Sequence, residues 1–362
     1  MSIAPEDRAY WVALVQFRSF GAVRMERLMR HFPTMKRAFE ASAGELVEAG
    51  IEPKIASHFL GERIHIDPEA LMRELEIHGV QAVTLKDDIY PPLLKEIYDP
   101  PAVLFVRGAL PDPARRHLAV VGSRKASDYG TRVTQDLVKP LAQAGVVVVS
   151  GLAYGIDAIA HDTALAADGT TLAVLGSGVD EQSIYPSANR ALASRILSQG
   201  GALISEFPLG TLPLKSHFPF RNRIIAGLCH GTLVVEAALK SGSLITARCA
   251  LESGREVYAV PGSIYSQTSE GPHNLIKLGA TPASCAQDIF GLEAVPQPVE
   301  NAYQPRGEEE TLVWERLGSM PIHLDELIRA TQMPAQKTTS VLTLMEIKGA
   351  VRHHGGNFFA RA

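Results

Sequence analysis

The chain has 362 residues, of which 46% are hydrophobic and 20% are charged, and its formal net charge is −4. This composition is typical of an ordinary globular protein of two or three domains. The negative net charge excludes a global positive field that attracts polyanions, so any nucleic-acid site must be a local patch.

Cysteine usage and the N-terminus indicate the compartment. Cys229, Cys249 and Cys285 form no CxxC pair and lie in apolar or helical sequence, so we expect reduced, buried thiols rather than disulfides or a zinc site. The N-terminus lacks the basic start and apolar core of a signal peptide, and no apolar run approaches the ~18 residues of a membrane span. We therefore expect a cytoplasmic protein without membrane contact.

Residues 1–78 are predicted to form a small helical module. Apolar residues recur at helical spacing from residue 8 to about residue 60, and Gly21, Gly50 and Pro53 interrupt the pattern. Such a module is either a SAM-like or helix-hairpin-helix-like DNA binder or a protein-contact cap. The loops carry no Gly-x-Gly hairpin signature, which favours the cap.

Residues 79–292 are predicted to form a Rossmann-like, doubly wound α/β domain with a mostly parallel sheet. Short runs of Val, Ala and Leu alternate with helical stretches, and such runs are typical of strands buried on both faces. A proline-fixed connection, 90–101, separates the first two strands. The predicted strands are 81–85, 102–106, 118–121, 146–150, 172–175, 202–205, 232–236 and 256–260.

The remaining residues are predicted to form a linker and a winged-helix-like domain. Residues 293–307, and more loosely the stretch from Gly291 to about Gly307, are rich in Pro, Gln, Glu and Asn. Beyond them, 311–317, 324–330 and 337–347 are predicted helices, and 349–359 is a predicted hairpin that turns at Gly355-Gly356. Three helices and a hairpin are typical of a winged-helix domain, which usually binds duplex DNA. This region carries only a weak positive charge, so contact with another protein is favoured at least as much as binding in a DNA groove.

The segment Lys215-Ser-His-Phe-Pro-Phe-Arg-Asn-Arg223 interleaves cations with aromatic rings. The segment contains the cations Lys215, Arg221 and Arg223 with the rings Phe218 and Phe220 between them, and Pro219 is expected to hold it open. Cations and flat rings so close together suit a ligand with regularly spaced negative charges and stackable faces, such as single-stranded nucleic acid. The alternative is a loop whose phenylalanines fill a core while its arginines face water, and Phe220 stays undecided between the two. Residues 206–255 as a whole contain six Lys or Arg and three Glu: Lys215, Arg221, Arg223, Lys240, Arg248, Arg255, Glu206, Glu236 and Glu252.

The expected carboxyl ends of the strands carry residues that suit anions. In open α/β sheets ligands bind there, where helix N-termini expose backbone N–H groups. The first end gives Gly122-Ser123-Arg124-Lys125, a second gives residues 150–157, and a third gives Gly176-x-Gly178. A later one, Lys240-Ser241-Gly242-Ser243, opens a helix and resembles an anion nest.

Familiar catalytic and cofactor motifs are missing from the sequence. No strand end completes GxGxxG, and there is no P-loop, HExxH or GxSxG. Asp157 and His161 stand four residues apart and form a candidate metal pair, but no third ligand is in register. The alternative is that Asp157 offsets a helix dipole. We expect no metal, no cofactor and no catalytic constellation.

Six motifs together resemble one family. They are Tyr90-Pro-Pro-Leu with Asp99-Pro-Pro, Gly122-Ser-Arg, the stretch 150–157, the stretch 218–225, the stretch 240–246, and Val260-Pro-Gly. In order and spacing, over roughly residues 80–285, they resemble the DNA-processing protein DprA (Smf) family. The helical module and the winged-helix-like tail fit its longer members.

The resemblance implies a non-enzymatic protein that binds single-stranded DNA entering a competent cell, protects it and loads the RecA recombinase. It also implies a homodimer formed through the Rossmann-like domain. The family's DNA pocket implies a phosphate clamp at Arg124, a lysine at Lys215 and an aromatic ring at Phe218. By the same mapping and by inference from the helix start, the candidate DNA-binding residues are Ser123, Arg124, Lys215, Phe218, Arg221, Arg223, Lys240, Ser241, Gly242 and Ser243.

Two other functions stay open. Nucleoside-monophosphate phosphoribohydrolases use a related fold, and Glu236 could be a pocket carboxylate, but the Pro-Gly-Gly turn of those enzymes is missing here. A pure scaffold whose terminal domains do the binding is the third possibility.

Overall fold

The computed structural model describes residues 5–291, 303, 305–318 and 320–361. The chain divides into two compact units, Met1–Gln297 and Pro298–Ala362. The predicted linker therefore lies largely outside the described residues. Within the described part, none of the helices combines the length and the apolar character needed to cross a membrane.

The first unit begins with a helical module that packs against the sheet. Its helices are α1 Pro5–Gln16, α2 Ala22–His31, α3 Met35–Glu40, α4 Ala43–Glu48, α5 Pro53–Arg63 and α6 Pro68–Ile77. Trp11 and Phe59 of the module share one buried core with Phe105 and Leu203 of the sheet. Arg8 also pairs with Asp87 (Nη2–Oδ1 2.8 Å). The module is thus packed onto the sheet as part of the same unit.

One mixed sheet organises residues 80–282. Its described strands are β1 Val80–Thr84, β2 Val103–Gly108, β3 His117–Val121, β4 Val147–Ser150, β5 Thr171–Val174, β6 Ala202–Ser205, β7 Gly231–Val234, β8 Glu256–Ala259 and β9 Thr281–Pro282. Their order is β1-β2-β6-β5-β4-β3-β7-β8-β9. β2 runs antiparallel to β1 and β6, and the other neighbours pair in parallel. The predicted Rossmann-like, mostly parallel sheet is confirmed.

Helices cover both faces of this sheet, which explains why its strands are apolar throughout. They are α7 Pro92–Lys95, α8 Asp128–Gln143, α9 Ile156–Ala166, α10 Arg190–Ser198, α11 His217–Gly227, α12 Ser243–Glu252 and α13 Glu270–Lys277. Leu118 and Val120 of β3 face the core with α8 and α9. Ala119 and Val121 face the core with α11 and α12. Short 3-10 helices span Glu181–Ser183, Ser187–Asn189, Gln267–Ser269 and Ala286–Asp288.

The second unit has the predicted winged-helix architecture. It contains α14 Glu308–Arg316, α15 Leu324–Thr331 and α16 Ala335–Ile347, with strands β10 Ile322–His323, β11 Val351–His353 and β12 Phe358–Arg361. The three strands pair antiparallel in the order β10-β12-β11. Val313, Leu327, Leu342 and Phe359 fill its core. The two-residue strand β10 was not predicted, because so short a segment has no readable alternation.

The cysteine prediction is only partly right. Cys229 is buried, as expected, but Cys249 is half-buried and Cys285 is exposed. Burial raises the pKa of the Cys229 thiol. Cys285 lies outside because it stands at the start of the short helix Ala286–Asp288, on the surface of the unit.

Gly155 gives the loop between β4 and α9 a backbone that other residues adopt only with strain. Its φ is +73°, and a Cβ there would lie 2.2 Å from the carbonyl oxygen of Ser123. The loop after β3 and the loop after β4 therefore approach each other only because residue 155 has no side chain.

We expect Gly155→Ala to lower the free energy of unfolding by roughly 1–3 kcal/mol, the usual cost of such backbone strain. Gly61→Ala is the control, since Gly61 lies in α5 and a Cβ there meets nothing within 4 Å. That change should raise the free energy of unfolding by up to about 1 kcal/mol through helix propensity. Chemical denaturation of the two variants measures both values, and a Gly155→Ala variant as stable as the parent would refute the strain.

Candidate nucleic-acid interface

The candidate site lies at the carboxyl edge of the parallel strands. β3 has β4 on one side and β7 on the other, so the chain leaves β3 and β7 in different directions. This divergence opens a crevice where ligands of such sheets bind. The loop with Ser123 and Arg124 follows β3, and the loop with Lys240 follows β7.

The loop after β3 holds Arg124 at the surface. A Cβ on Gly122 would lie 2.6 Å from Cγ1 of Ile156, so glycine allows the close approach of α9. The Ser123 hydroxyl accepts a bond from the Lys125 N–H (3.1 Å) and donates to the Lys125 carbonyl (2.9 Å). The hydroxyl thus fixes its own turn, and Arg124 and Lys125 are left exposed.

The cation–aromatic segment is helical, which corrects the expectation that Pro219 holds it open. Residues 217–223 lie in α11, and Pro219 stands in the first turn. There a proline removes no helical hydrogen bond, because the first N–H groups have no acceptor within the helix. Phe218 is half-buried, whereas Lys215 and Phe220 are exposed, so Phe220 is not a core residue.

Phe218 brings Arg124 and a tyrosine together. The Arg124 guanidinium lies over its ring, 5.4 Å from the centroid. The centroid of the Tyr185 ring lies 5.8 Å from that of Phe218, and the two ring planes are tilted by 41°. A Cβ on Gly176 would approach the Phe218 ring to 3.1 Å, so the glycine after β5 makes room for it. We refer to Arg124, Tyr185 and Phe218 as the edge cluster; Lys215 precedes Phe218 by three residues in the sequence.

The first turn of α11 is fixed by its own histidine. The Nδ1 atom of His217 lies 3.1 Å from the Gly176 carbonyl oxygen. Its ring stacks on Phe207 with a centroid distance of 4.2 Å. Phe218 is therefore held against the loop that follows β5.

Arg221 and Arg223 are directed into the protein and not toward the crevice. Arg221 is 4% exposed, and its Nη1 donates to the carbonyls of Gly151 (2.8 Å) and Val174. Arg223 pairs through Nε with Asp99 (2.9 Å) and through Nη2 with Glu206 (2.6 Å). The structure does not bring these two predicted DNA-binding cations to the surface that Arg124 occupies.

The start of α12 lies beside α11 and is only partly open. Asn222 donates to the Gly242 carbonyl (3.1 Å) and so ties the two helices together. The hydroxyls of Ser241 and Ser243 bond to each other (2.7 Å), and Ser243 is buried. Gly242 and Lys240 are exposed, so they are the members of the predicted nest that face solvent.

Asp157 and His161 both contact other groups of the protein. Asp157 accepts a bond from the Gly151 N–H (3.0 Å), and His161 Nδ1 lies 2.6 Å from the Thr171 hydroxyl. Burial lowers the pKa of His161 to about 3, and the Arg221 charge adds to this shift. Burial raises the pKa of Asp157, whereas Arg221 opposes that shift. Among the described residues there is no group of three potential metal ligands.

Glu236 is a structural carboxylate. Its oxygens accept bonds from the Ser127 N–H (3.0 Å), the Ser127 hydroxyl (2.5 Å) and the Thr268 hydroxyl (3.1 Å). Ser127 is the N-cap of α8, so the carboxylate stabilises the positive end of that helix. A Cβ on Gly130 would lie 2.3 Å from Oε2, so the helix packs directly on the carboxylate.

Tyr185 is the residue of the edge cluster that the sequence analysis did not single out. It is 44% exposed and follows β5 rather than the strands that carry the cations. Its place after Gly176-x-Gly178, at the edge where the other loops converge, was the available signal.

Comparisons with known proteins agree with the architecture. The model of a family described as DNA recombination-mediator protein A matches residues 81–293, and a DprA winged helix domain matches residues 297–357. Protein Smf of Escherichia coli K12 is 39% identical over 97% of this chain and 95% of its own length. The DNA processing protein DprA of Bacillus subtilis is 45% identical over 60% of this chain and 72% of its own length.

Solved structures give the same result. Streptococcus pneumoniae DprA has a TM-score of 0.67 and 35% identity, over 81% of this chain and 99% of that one. DNA processing protein A of Helicobacter pylori, whose single-stranded DNA binding mode is described, has a TM-score of 0.51 and 30% identity, over 57% and 93% of the two chains. The first family model matches more than half of the residues of this chain, so the chain belongs to the DNA recombination-mediator protein A family.

Proposed function

We propose that this protein binds single-stranded DNA and acts as a recombination mediator. The observation that carries the proposal is the Arg124 guanidinium over the Phe218 ring, 5.4 Å from its centroid, at the carboxyl edge of the sheet. Single-stranded nucleic acid repeats two features, phosphates and base faces. A cation can bind the phosphate, and a nearby aromatic ring can stack on the base. Single-stranded DNA binding by the Helicobacter pylori relative supports the same ligand.

The exposed cations are proposed to bind phosphates. Arg124, Lys215 and Lys240 are exposed, and Gly242, which is also exposed, follows Lys240 by two residues at the start of α12. Phe218 is proposed to lie against the strand. Arg221 and Arg223 are proposed to act indirectly, because their described bonds hold α11 in place.

The cellular role that we propose is protection of incoming DNA and loading of the RecA recombinase during natural transformation. The protein is proposed to act as a homodimer through its Rossmann-like domain. Membership of the recombination-mediator family supports both statements. We further propose that it is not an enzyme, since both oxygens of Glu236, the candidate catalytic carboxylate, accept hydrogen bonds from the protein.

We expect the Arg124→Ala/Lys215→Ala variant to bind an oligo-dT strand at least tenfold more weakly than the parent. The loss of two phosphate contacts should also flatten the slope of log affinity against log salt by about 1.4. Titration of a labelled oligonucleotide at several salt concentrations measures both changes. An affinity equal to that of the parent would exclude this surface as the binding site.

The matched control is Lys139→Ala/Lys277→Ala. Both residues are exposed in the last part of a helix, α8 and α13, and these helices lead back to the amino edge of the sheet, opposite the edge cluster. The control changes the net charge by the same amount and should keep the parent's affinity to within about twofold, because distant exposed charges are screened beyond ~10 Å at ordinary salt. An equal loss in the two double variants would mean that net charge, rather than the edge cluster, determines binding.

We expect the parent protein to shorten the lag of RecA-dependent ATP hydrolysis on DNA coated with single-strand binding protein. The Arg124→Ala/Lys215→Ala variant should not shorten it, because loading requires the mediator to be on the strand. The mass of the protein–DNA complex, measured alongside, should correspond to a dimer. A parent protein that binds the strand tightly and leaves the lag unchanged would refute RecA loading while leaving DNA binding intact.

The phosphoribohydrolase alternative has a direct assay. Incubation with nucleoside monophosphates, followed by chromatography for free base, should show no release above the uncatalysed background. Release that is lost in a Glu236→Gln variant would establish the enzyme instead.

A further inference from the structure

Tyr185 presents an aromatic ring to solvent from an anchored stretch of chain. Its neighbours Ile184 and Pro186 are buried, whereas Tyr185 itself is 44% exposed. Asp180 accepts bonds from the backbone N–H (3.2 Å) and the hydroxyl (2.7 Å) of Ser183, just before it. The buried neighbours and the bonds to Asp180 thus fix the backbone that carries the exposed ring.

The same stretch is joined to the loop after β4. The Asn189 side chain donates to the carbonyls of Leu152 (2.8 Å) and Ala153 (3.3 Å). These two hydrogen bonds tie two loops of the carboxyl edge to each other. A ring on a backbone that is already fixed loses less conformational entropy when a ligand stacks on it than a ring on a free loop does.

The Phe218 ring is less open than the Tyr185 ring. Arg124 lies over Phe218, with 5.4 Å between the guanidinium and the centroid. Gly176 adjoins the ring as well, since a Cβ on this residue would lie 3.1 Å from it. Phe218 is half-buried as a result, and Tyr185 offers the larger accessible aromatic surface in the edge cluster.

We propose that Tyr185 is a second base-stacking residue of the single-stranded DNA site, next to Phe218. The inference rests on the proposed function and extends it from one aromatic contact to two. The ring planes are inclined by 41°, with centroids 5.8 Å apart. Two consecutive bases on these rings are therefore turned away from each other, so the bound strand is unstacked at this point. Stacking of this kind accepts any base, because every base has a π-face.

The test compares two strands of equal length, oligo-dT and a strand of abasic residues that keeps the phosphates. Tyr185→Ala should weaken oligo-dT binding by roughly 5- to 150-fold, the loss expected for one stacked base. It should leave abasic-strand binding and the salt slope for oligo-dT unchanged. Tyr185→Phe should keep the parent's affinity for both strands, because stacking needs the ring and not the hydroxyl.

Controls separate stacking from damage to the fold and from failure of the proposed function. Tyr98→Ala removes a tyrosine that is 96% exposed on the 90–101 connection and should bind both strands as the parent does. If the parent binds oligo-dT and Tyr185→Ala binds it equally well, the inference is overturned. Equal weakening of both strands by Tyr185→Ala also overturns it, since the residue then acts on the fold or the phosphate contacts. A parent protein that binds neither strand refutes the proposed function itself.

Discussion

The buried guanidinium of Arg221 determines where the candidate site is built. It belongs to α11, yet its Nη1 donates to the carbonyls of Gly151 and Val174, at the ends of two neighbouring strands. A Cβ on Gly151 would lie 2.6 Å from this nitrogen, so only glycine leaves the space. Burial lowers the pKa of Arg221 to about 10, and the charge of Asp157 partly offsets the shift. A buried charge must keep its partners, so the first turn of α11, with Phe218, is fixed against the sheet.

The cations discussed above fall into two groups, those paired with carboxylates and those exposed at the carboxyl edge of the sheet. Asp99 and Glu206 hold Arg223, and Glu96 pairs with Arg255 (2.8 Å). Arg223 of α11 and Arg255, which directly precedes β8, are thereby joined to the connection before β2, and their charge is largely balanced. Arg124 and Lys215 are instead exposed where the strands end. A chain with a net charge of −4 thus presents positive charge at one edge, and attraction to a polyanion is local and sensitive to salt.

Local sequence patterns were sufficient to predict most of the fold. Which side chains reach the candidate site depends instead on contacts between residues that are distant in sequence. The eight strands predicted in residues 79–292 lie within about two residues of β1 to β8, because sheets covered on both faces need continuous apolar runs. The two-residue strands β9 and β10 were missed, since they are too short for such a run. The helical state of 217–223 was missed because Pro219 was taken as a breaker, although a first turn tolerates it. The burial of Arg221 depends on acceptors 70 and 47 positions away, at Gly151 and Val174. Charge alone marks an arginine as a DNA contact, and only the packing shows that it is an anchor.

The engaged hydroxyls of the site bear on its selectivity. Ser123 bonds within its own turn, and Ser241 and Ser243 bond to each other. Because these hydroxyls already form hydrogen bonds within their own loops, they are not free to bond to a base. The surface around them therefore offers mainly charged groups and aromatic rings. Base-specific reading requires hydrogen-bond donors and acceptors, whereas phosphate attraction and stacking are nearly independent of sequence. A site of this composition suits a ligand whose sequence is arbitrary, and it gains affinity by adding rings such as Tyr185 beside Phe218 rather than by adding hydrogen bonds.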